Sequence, residues 1–201
     1  MILNHLMGLY THPKKEWHTI EQNHESLTSS LSHVIFVALI PAICAYIGAA
    51  HIGWNPAVDG DKLFLTDHSA ILMSVGMYFG LIAGVFALAY LAFWMARTFD
   101  AKPTFTQTLE LASYTATPLF MVGLSALYPE LWFMMVVALV GITYSVYLLY
   151  TGVPIIMNIP EEKGFIYASS VVTCGLCLLV ALMAASVILW SNGFGPEIAN
   201  F

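Results

Sequence analysis

Charged side chains are scarce in this chain. Asp, Glu, Lys and Arg make up 9% of its 201 residues, whereas a soluble domain carries about 25%. So few charges do not cover the surface of a water-soluble domain of this length. Hydrophobic residues make up 59% of the chain, and in lipid such side chains face outward without conflict. The composition therefore predicts a membrane protein, of a length that suits one domain.

Motifs that carry known chemistry are also missing. The sequence has no basic patch with interleaved aromatic residues, which argues against nucleic-acid binding. It has no G-x-S-x-G, Walker A or H-E-x-x-H pattern. We therefore expect a protein that is not an enzyme and that needs no cofactor.

Cysteine is rare, and no framework of paired cysteines is present. Cys174 and Cys177 form a C-x-x-C, a spacing typical of redox and zinc sites. They lie in the middle of an apolar segment with no His, Asp or Glu beside them. Because free cysteine commonly behaves as a small buried hydrophobic residue, we interpret both as packing residues.

Five apolar segments are long enough to cross a bilayer as helices, which takes about 20 residues for ~30 Å of hydrocarbon. The third is the most polar, and the turn Tyr128-Pro129-Glu130 joins it to the fourth in a predicted antiparallel hairpin. The predicted fold is an all-α, polytopic transmembrane helical bundle with an N-terminal amphipathic helix. Its five spans cover residues 31–50, 69–96, 109–128, 131–150 and 165–190.

The basic residues predict the orientation, because cytoplasmic loops carry the excess of Lys and Arg. If the connections alternate between the two sides, one side has Lys14, Lys15, Arg97, Lys102 and Lys163, and the other has Lys62. We therefore expect the N-terminus in the cytoplasm and the short tail 192–201 outside. The expected location is a bacterial inner membrane.

The entry segment, residues 1–30, has a different pattern from the transmembrane domain at residues 31–191. Pro13 suits the first position of a helix, and Trp17 and Ile20 follow at helical spacing. The charged residues lie off this stripe. The pattern predicts an amphipathic helix on the cytoplasmic membrane surface, with Pro13, Trp17 and Ile20 at that surface.

Three glycines in the second predicted span, Gly76, Gly80 and Gly84, form two overlapping G-x-x-x-G motifs. Glycine at every fourth position makes a groove in which another helix backbone can approach closely. We weigh packing within one bundle above the sharper interpretation, a homo-oligomer interface. The motif alone does not separate the two.

The third predicted span has a polar face. Its members are Glu110, Ser113, Tyr114 and Thr117, and the hairpin would bring them to Tyr144, Ser145 and Tyr147 of the fourth span. An ionisable group at membrane depth suggests a path for an ion or solute. The opposing interpretation, which we favour, is a Glu stabilised near a helix N-terminus and in contact with interfacial water. Thr104 and Gln107 form a capping-box pattern that begins this helix just before Phe105.

A cluster on the entry helix contains His18, Glu21, His24 and Glu25. Imidazole and carboxylate groups suit zinc and other divalent cations. The spacing is not a known zinc signature, so a solvated polar face is the favoured interpretation. We expect His33, at the start of the first span, to be an interfacial residue rather than a ligand.

Three stretches resemble the Yip-domain family of membrane proteins, and the likeness extends over nearly the whole chain. Residues 9–20 look like that family's P-x-x-x-W-x-x-I entry helix, and residues 114–120 and 147–154 are similar to its bacterial inner-membrane members. The resemblance implies five membrane helices, a cytosolic N-terminus and no settled catalytic residues. Eukaryotic members bind Rab-type GTPases and act in vesicle traffic, but this entry segment is short, and a bacterial chain would meet no Rab GTPase.

Two functions remain open at this level. The first is a non-enzymatic membrane protein that acts by forming a homo-oligomer or by binding another membrane protein within the lipid bilayer. It rests on the glycines, the entry helix and the missing catalytic motifs. The alternative is a small transporter or channel for a proton, metal cation or small solute, and it rests on the polar faces of the third and fourth spans.

Overall fold

The computed structural model describes residues 8–23, 27–54 and 62–199. Within these ranges the secondary-structure elements are helices. A short helical turn at residues 8–11 comes first. The helices that follow are α1 (Pro13–Asn23), α2 (Leu27–Ile47), α3 (Asp67–Met95), α4 (Phe105–Val122), α5 (Leu131–Ile156) and α6 (Glu161–Leu189). The all-helical fold expected from the composition is confirmed.

Within the described ranges, four of the helical stretches are long and apolar enough to cross a membrane. They are Leu27–Ile52, Asp67–Phe99, Leu131–Ile156 and Glu161–Phe194, each including any short π- or 3-10 turn that extends its helix. Helix α4, the third of the predicted spans, is not among them. Its 18 residues include Glu110 and several hydroxyl side chains, which lower its mean hydropathy.

Local sequence explains where α4 begins. Thr104 has an extended backbone and accepts a hydrogen bond from the Gln107 backbone N–H. In return, the Gln107 side-chain oxygen accepts from the Thr104 backbone N–H at 2.8 Å. This reciprocal pair is the capping box expected from the sequence, and it satisfies two N–H groups that a helix start leaves free.

Helix α4 lies at the centre of the bundle, where it packs against α2, α3 and α5. It runs parallel to α2, because Thr117 meets His33 and, further along both helices, Gly123 meets Pro41. It runs antiparallel to α5, because Gly141 lies beside Val122 and Gly152 beside Leu111. Most of its side chains are consequently buried, polar ones included.

The two ends of the bundle carry different parts of the chain. At one end the Lys163 ammonium forms an ion pair with Asp100, and residues Leu9 and Trp17 join the core cluster there with Ala101. At the other end the C-terminal tail returns to the start of α3, where the Thr66 backbone N–H donates to the Glu197 carbonyl at 3.0 Å. The entry helix and the C-terminal tail therefore lie at opposite ends.

Candidate functional site

The polar face of α4 is fully enclosed by protein. Glu110 is 2% exposed, and Ser113, Tyr114 and Thr117 are no more exposed than Glu110. Glu110 therefore does not meet interfacial water. This finding contradicts our favoured interpretation of the sequence, in which Glu110 contacts that water. Neighbouring helices cover it because α4 is packed on three sides.

His33 of α2 joins this face. Its Nε2 lies 2.9 Å from the Thr117 hydroxyl oxygen, and its ring centroid is 4.7 Å from that of Tyr114. His33 is 1% exposed, so it lies inside the protein and not on its outer surface. The parallel packing of α2 on α4 brings together two residues that are 84 positions apart in the chain.

The Thr117 hydroxyl lies between the His33 ring and the backbone of its own helix. The Thr117 hydroxyl donates its single hydrogen to the Ser113 carbonyl at 3.0 Å. When it does so, its oxygen accepts from the Nε2–H of the His33 imidazole.

The tyrosines of α5 that the hairpin was expected to bring to this face lie elsewhere. The Tyr144 hydroxyl donates to the Leu9 carbonyl at 2.7 Å, and its ring stacks on Tyr10 at 5.2 Å. Burial, and then the neighbouring Tyr144, raise the pKa of Tyr10. Tyr147 is 46% exposed. The polar face of α4 therefore turns towards α2, and these two tyrosines bind the N-terminal segment or face outward.

Two of the side chains assigned to the membrane surface lie inside the protein. Trp17 and Ile20 are completely buried and belong to the core cluster that includes Leu111 and Leu148, and Pro13 is partly buried. The Trp17 ring meets the Tyr114 ring edge-on with centroids 6.3 Å apart. The apolar stripe was correctly located, but it covers α5 and the polar face of α4 instead of lipid.

The structure describes two of the four residues in the predicted cation cluster on the entry helix. His24 and Glu25 lie outside the described residues. His18 is exposed and Glu21 is partly buried. Within the described ranges no group of three or more His, Cys, Asp or Glu side chains is placed to hold a metal ion.

The glycines of α3 are open to the outside of the bundle. A Cβ atom built on Gly76, Gly80 or Gly84 meets no atom of the described chain within 4 Å. The interpretation that we weighed higher, packing of these glycines within one bundle, therefore has no supporting contact among the described residues. Val85 and Ala89 of α3, which are buried in a core cluster, lie off this row of glycines.

His33 and Ser30 are the members of the buried site that sequence reasoning missed. Both lie on the face of α2 that carries Val34 and Val37, and that face is buried. A polar pair at this spacing within an apolar segment was the available signal. It gave no indication of which helix the pair would meet.

The sequence is similar to known membrane proteins over nearly its whole length. The Yip1 domain matches residues 7–182 of the chain. "Inner membrane protein YohC" of Escherichia coli strain K12 is 38% identical over 193 residues, which cover 96% of this chain and 98% of that protein. The same values hold for the protein of that name in E. coli O6:H1 strain CFT073. No solved structure matches the chain. Both the extent of the domain match and the identity to these relatives show that the chain belongs to the Yip1 domain family.

Proposed function

We propose that this integral membrane protein is non-enzymatic and acts by association inside the bilayer, with a second copy or with another membrane protein. The observation that carries the proposal is the open glycine groove of α3, formed by Gly76, Gly80 and Gly84. These glycines make no close contact within the described chain. Their spacing nevertheless suits close contact with another helix.

The surroundings of the groove favour a helix as its occupant. Val75 and Phe79, which directly precede Gly76 and Gly80, are exposed apolar side chains. They form a raised edge beside a strip that has no side chains. A partner helix that enters this strip gains van der Waals contact along its length, which is the main force for helix association in lipid.

The proposal is tested by replacing Gly80 with Leu in the full-length protein and measuring self-association in lipid bilayers by energy transfer between labelled copies. The leucine fills the groove and should weaken association at least tenfold. Thr143→Leu is the matched control, because Thr143 is an exposed residue of α5 whose hydroxyl donates to its own helix at Leu139. Equal association of Gly80→Leu and the unaltered protein would remove the groove from the interface.

The proposal includes five membrane spans, with α4 as the third. Support comes from the contacts of α4 with α2 at two successive levels and from the opposite positions of the entry helix and the tail. Neighbouring helices shield the polar side chains of α4, so it can cross without exposing them to hydrocarbon. The excess of basic residues favours a cytoplasmic N-terminus and an external C-terminus, and the name of the E. coli relatives favours the inner membrane.

A second candidate function is movement of a proton, metal cation or small solute through the bundle. The buried polar face of α4, with His33 against it, favours this candidate. Its test is flux into proteoliposomes, comparing the unaltered protein with Glu110→Gln. Undiminished flux in that variant would remove Glu110 from the path, and absence of flux in the unaltered protein would remove the candidate.

A further inference from the structure

A cavity with a volume of about 330 Å³ opens between the end of α2 and the turn from α4 to α5. This is the end of the bundle to which the C-terminal tail returns. Small-molecule sites in proteins have volumes of about 300–1,000 Å³, so the cavity is large enough to hold a ligand. We call it the Trp54 cavity, and the residues that form it include Ala45, Ala49, Ala126 and Met134, with Trp54 and Leu131 exposed at its edge.

Close backbone packing bounds this cavity on one side. The end of α2 widens into a π-turn at Gly48–Ile52. A Cβ atom on Gly48 would collide with the carbonyl oxygen of Ala126, so the α2 backbone rests directly on the 3-10 turn at Gly123–Leu127. Turns of the π type within helices are frequent at functional sites. The small side chains of Ala45 and Ala49 leave the adjoining space unfilled.

The lining of the Trp54 cavity is suited to hydrocarbon and not to water. Among the described residues that line it, the indole N–H of Trp54 is the single polar group of a side chain. A buried water needs about two to four polar partners, which these side chains do not supply. A hydrocarbon chain instead gains van der Waals contact with the walls. The chemistry of the lining therefore favours an apolar chain.

The cavity lies at the level where hydrocarbon meets the lipid headgroups. Trp54, Tyr128 and Trp132 are exposed aromatic side chains at this end of the bundle, and such residues are enriched at the membrane–water interface. The edge formed by Trp54 and Leu131 is exposed on the outside of the bundle. A lipid chain can therefore enter from the bilayer while its headgroup stays at the interface.

Lys62 places a positive charge beside this edge. Trp54 and Leu63 pair through two backbone hydrogen bonds of 3.0 and 2.9 Å, so Lys62 directly precedes the residue opposite Trp54. Its ammonium donates to the Ile52 carbonyl at 3.3 Å. Because an ammonium has three N–H donors, and because Lys62 is exposed, it can also donate to a phosphate oxygen of a lipid.

The acidic residues at this end favour a headgroup without net negative charge. Glu130 is exposed and lies in the chain between Pro129 and Leu131, which line the cavity. Asp67 is exposed at the start of α3. Carboxylates repel an anionic headgroup, since like charges brought together are unfavourable. A zwitterionic headgroup instead offers its phosphate to the lysine and its ammonium to the acids.

We propose that the Trp54 cavity binds one hydrocarbon chain of a zwitterionic phospholipid, and that Lys62 donates to the phosphate of that lipid. This binding goes beyond the proposed association through α3. The cavity is lined by residues of α2, of the hairpin of α4 and α5 and of their connections, and the glycines of α3 are not among its lining residues. Loss of either activity would therefore leave the other intact.

The test is native mass spectrometry of the full-length protein in detergent, titrated with phosphatidylethanolamine. Phosphatidylglycerol and diacylglycerol with the same chains are the comparison probes. We expect a single molecule of phosphatidylethanolamine to bind about tenfold more tightly than either of the other lipids, because only its headgroup matches both signs of charge. Equal binding of diacylglycerol overturns the contact between Lys62 and phosphate, and tighter binding of phosphatidylglycerol overturns the zwitterionic headgroup.

Ala49→Leu fills the cavity and should weaken binding of phosphatidylethanolamine about tenfold, because the chain loses its contact with the walls. Ala184→Leu is the matched control, since Ala184 is an exposed residue of α6, and its lipid binding should be unchanged. Lys62→Ala should reduce the affinity for phosphatidylethanolamine to that for diacylglycerol. Unchanged lipid binding in Ala49→Leu overturns the proposal. A loss of self-association in that variant without a loss of lipid binding would identify a second copy as the occupant instead.

Ala45→Leu replaces Ala49→Leu if that variant does not fold, because Ala45 is one helical turn earlier and lines the same cavity. A further measurement uses the unaltered protein and phosphatidylethanolamine with a diazirine near the end of one chain, at one lipid per protein. After irradiation, the label should be found on peptides that contain Ala126 or Met134. Labelling confined to other parts of the chain overturns the proposal.

Discussion

Trp17 of the entry helix fits against Gly152 of α5. A Cβ atom at position 152 would come within 2.6 Å of the Trp17 indole ring and within 2.9 Å of Leu111. Glycine at this position therefore lets the entry helix dock on the bundle. The contact joins the N-terminal segment to the hairpin formed by α4 and α5.

Adding one methyl group at this contact should loosen it. We expect Gly152→Ala to lower the free energy of unfolding by about 1–3 kcal/mol, the usual cost of overpacking. The matched control is Gly175→Ala, where the new Cβ meets only Leu88 at an ordinary 3.7 Å. Helix propensity should make that control neutral or slightly stabilising. Thermal unfolding in detergent measures both, and equal effects would contradict the close fit at Gly152.

The buried indole N–H of Trp17 leads to a second prediction. Trp17 Nε1 has no hydrogen-bond partner among the described residues. Burial of this N–H therefore opposes folding, whereas burial of the apolar ring favours folding. Trp17→Phe removes the N–H and keeps most of the apolar contact, and we expect little change in stability. Trp17→Ala should cost about 3–5 kcal/mol. Denaturation in detergent distinguishes the two, and a loss with Phe as large as with Ala would mean that the indole nitrogen is satisfied.

Local patterns were enough to predict most helix positions in this chain. The capping box of Thr104 and Gln107 involves neighbouring residues, so it could be identified without knowledge of the fold. The apolar stripe of Trp17 and Ile20 was equally visible. Its partner was not, because lipid and a protein core are both apolar, and the spacing of a stripe does not distinguish them.

The composition of the buried site could be predicted only in part. The polar face of α4 was evident from its spacing. The approach of His33 was not, because α2 and α4 are not consecutive helices and the hairpin with α5 was the nearer alternative. Which of several neighbouring helices meets a given face depends on the tertiary packing of the whole bundle. For the same reason, the sequence could not reveal that the glycines of α3 lie on an open face.

The ion pair between Asp100 and Lys163 should respond to pH in a defined direction. The hydrogen bond from Lys163, and then its charge, lower the pKa of Asp100 below its ordinary value of 3.8. A carboxyl group with a lowered pKa in the folded state stabilises the fold above its ordinary value, and this contribution disappears as the pH falls through the lowered value. Lys163→Ala should return the pKa of Asp100 to its ordinary range, measured by carboxyl ¹³C titration. Lys102→Ala is the control, and an unaltered Asp100 titration in Lys163→Ala would contradict the pair.

The proposal that α4 crosses the bilayer can be tested directly by the accessibility of its two ends. Lys102 and Glu130 are exposed residues just before and just after α4 and its 3-10 extension. In a chain with its native cysteines replaced by alanine, we introduce a single cysteine as Lys102→Cys or as Glu130→Cys. If α4 is a span, a membrane-impermeant thiol reagent added outside intact cells should label position 130, and position 102 only after the membrane is opened. Lys62→Cys is the control for external exposure, because the connection from α2 to α3 does not depend on α4. Labelling of positions 102 and 130 from the same side would show that α4 enters the bundle without crossing, and would reduce the number of spans to four.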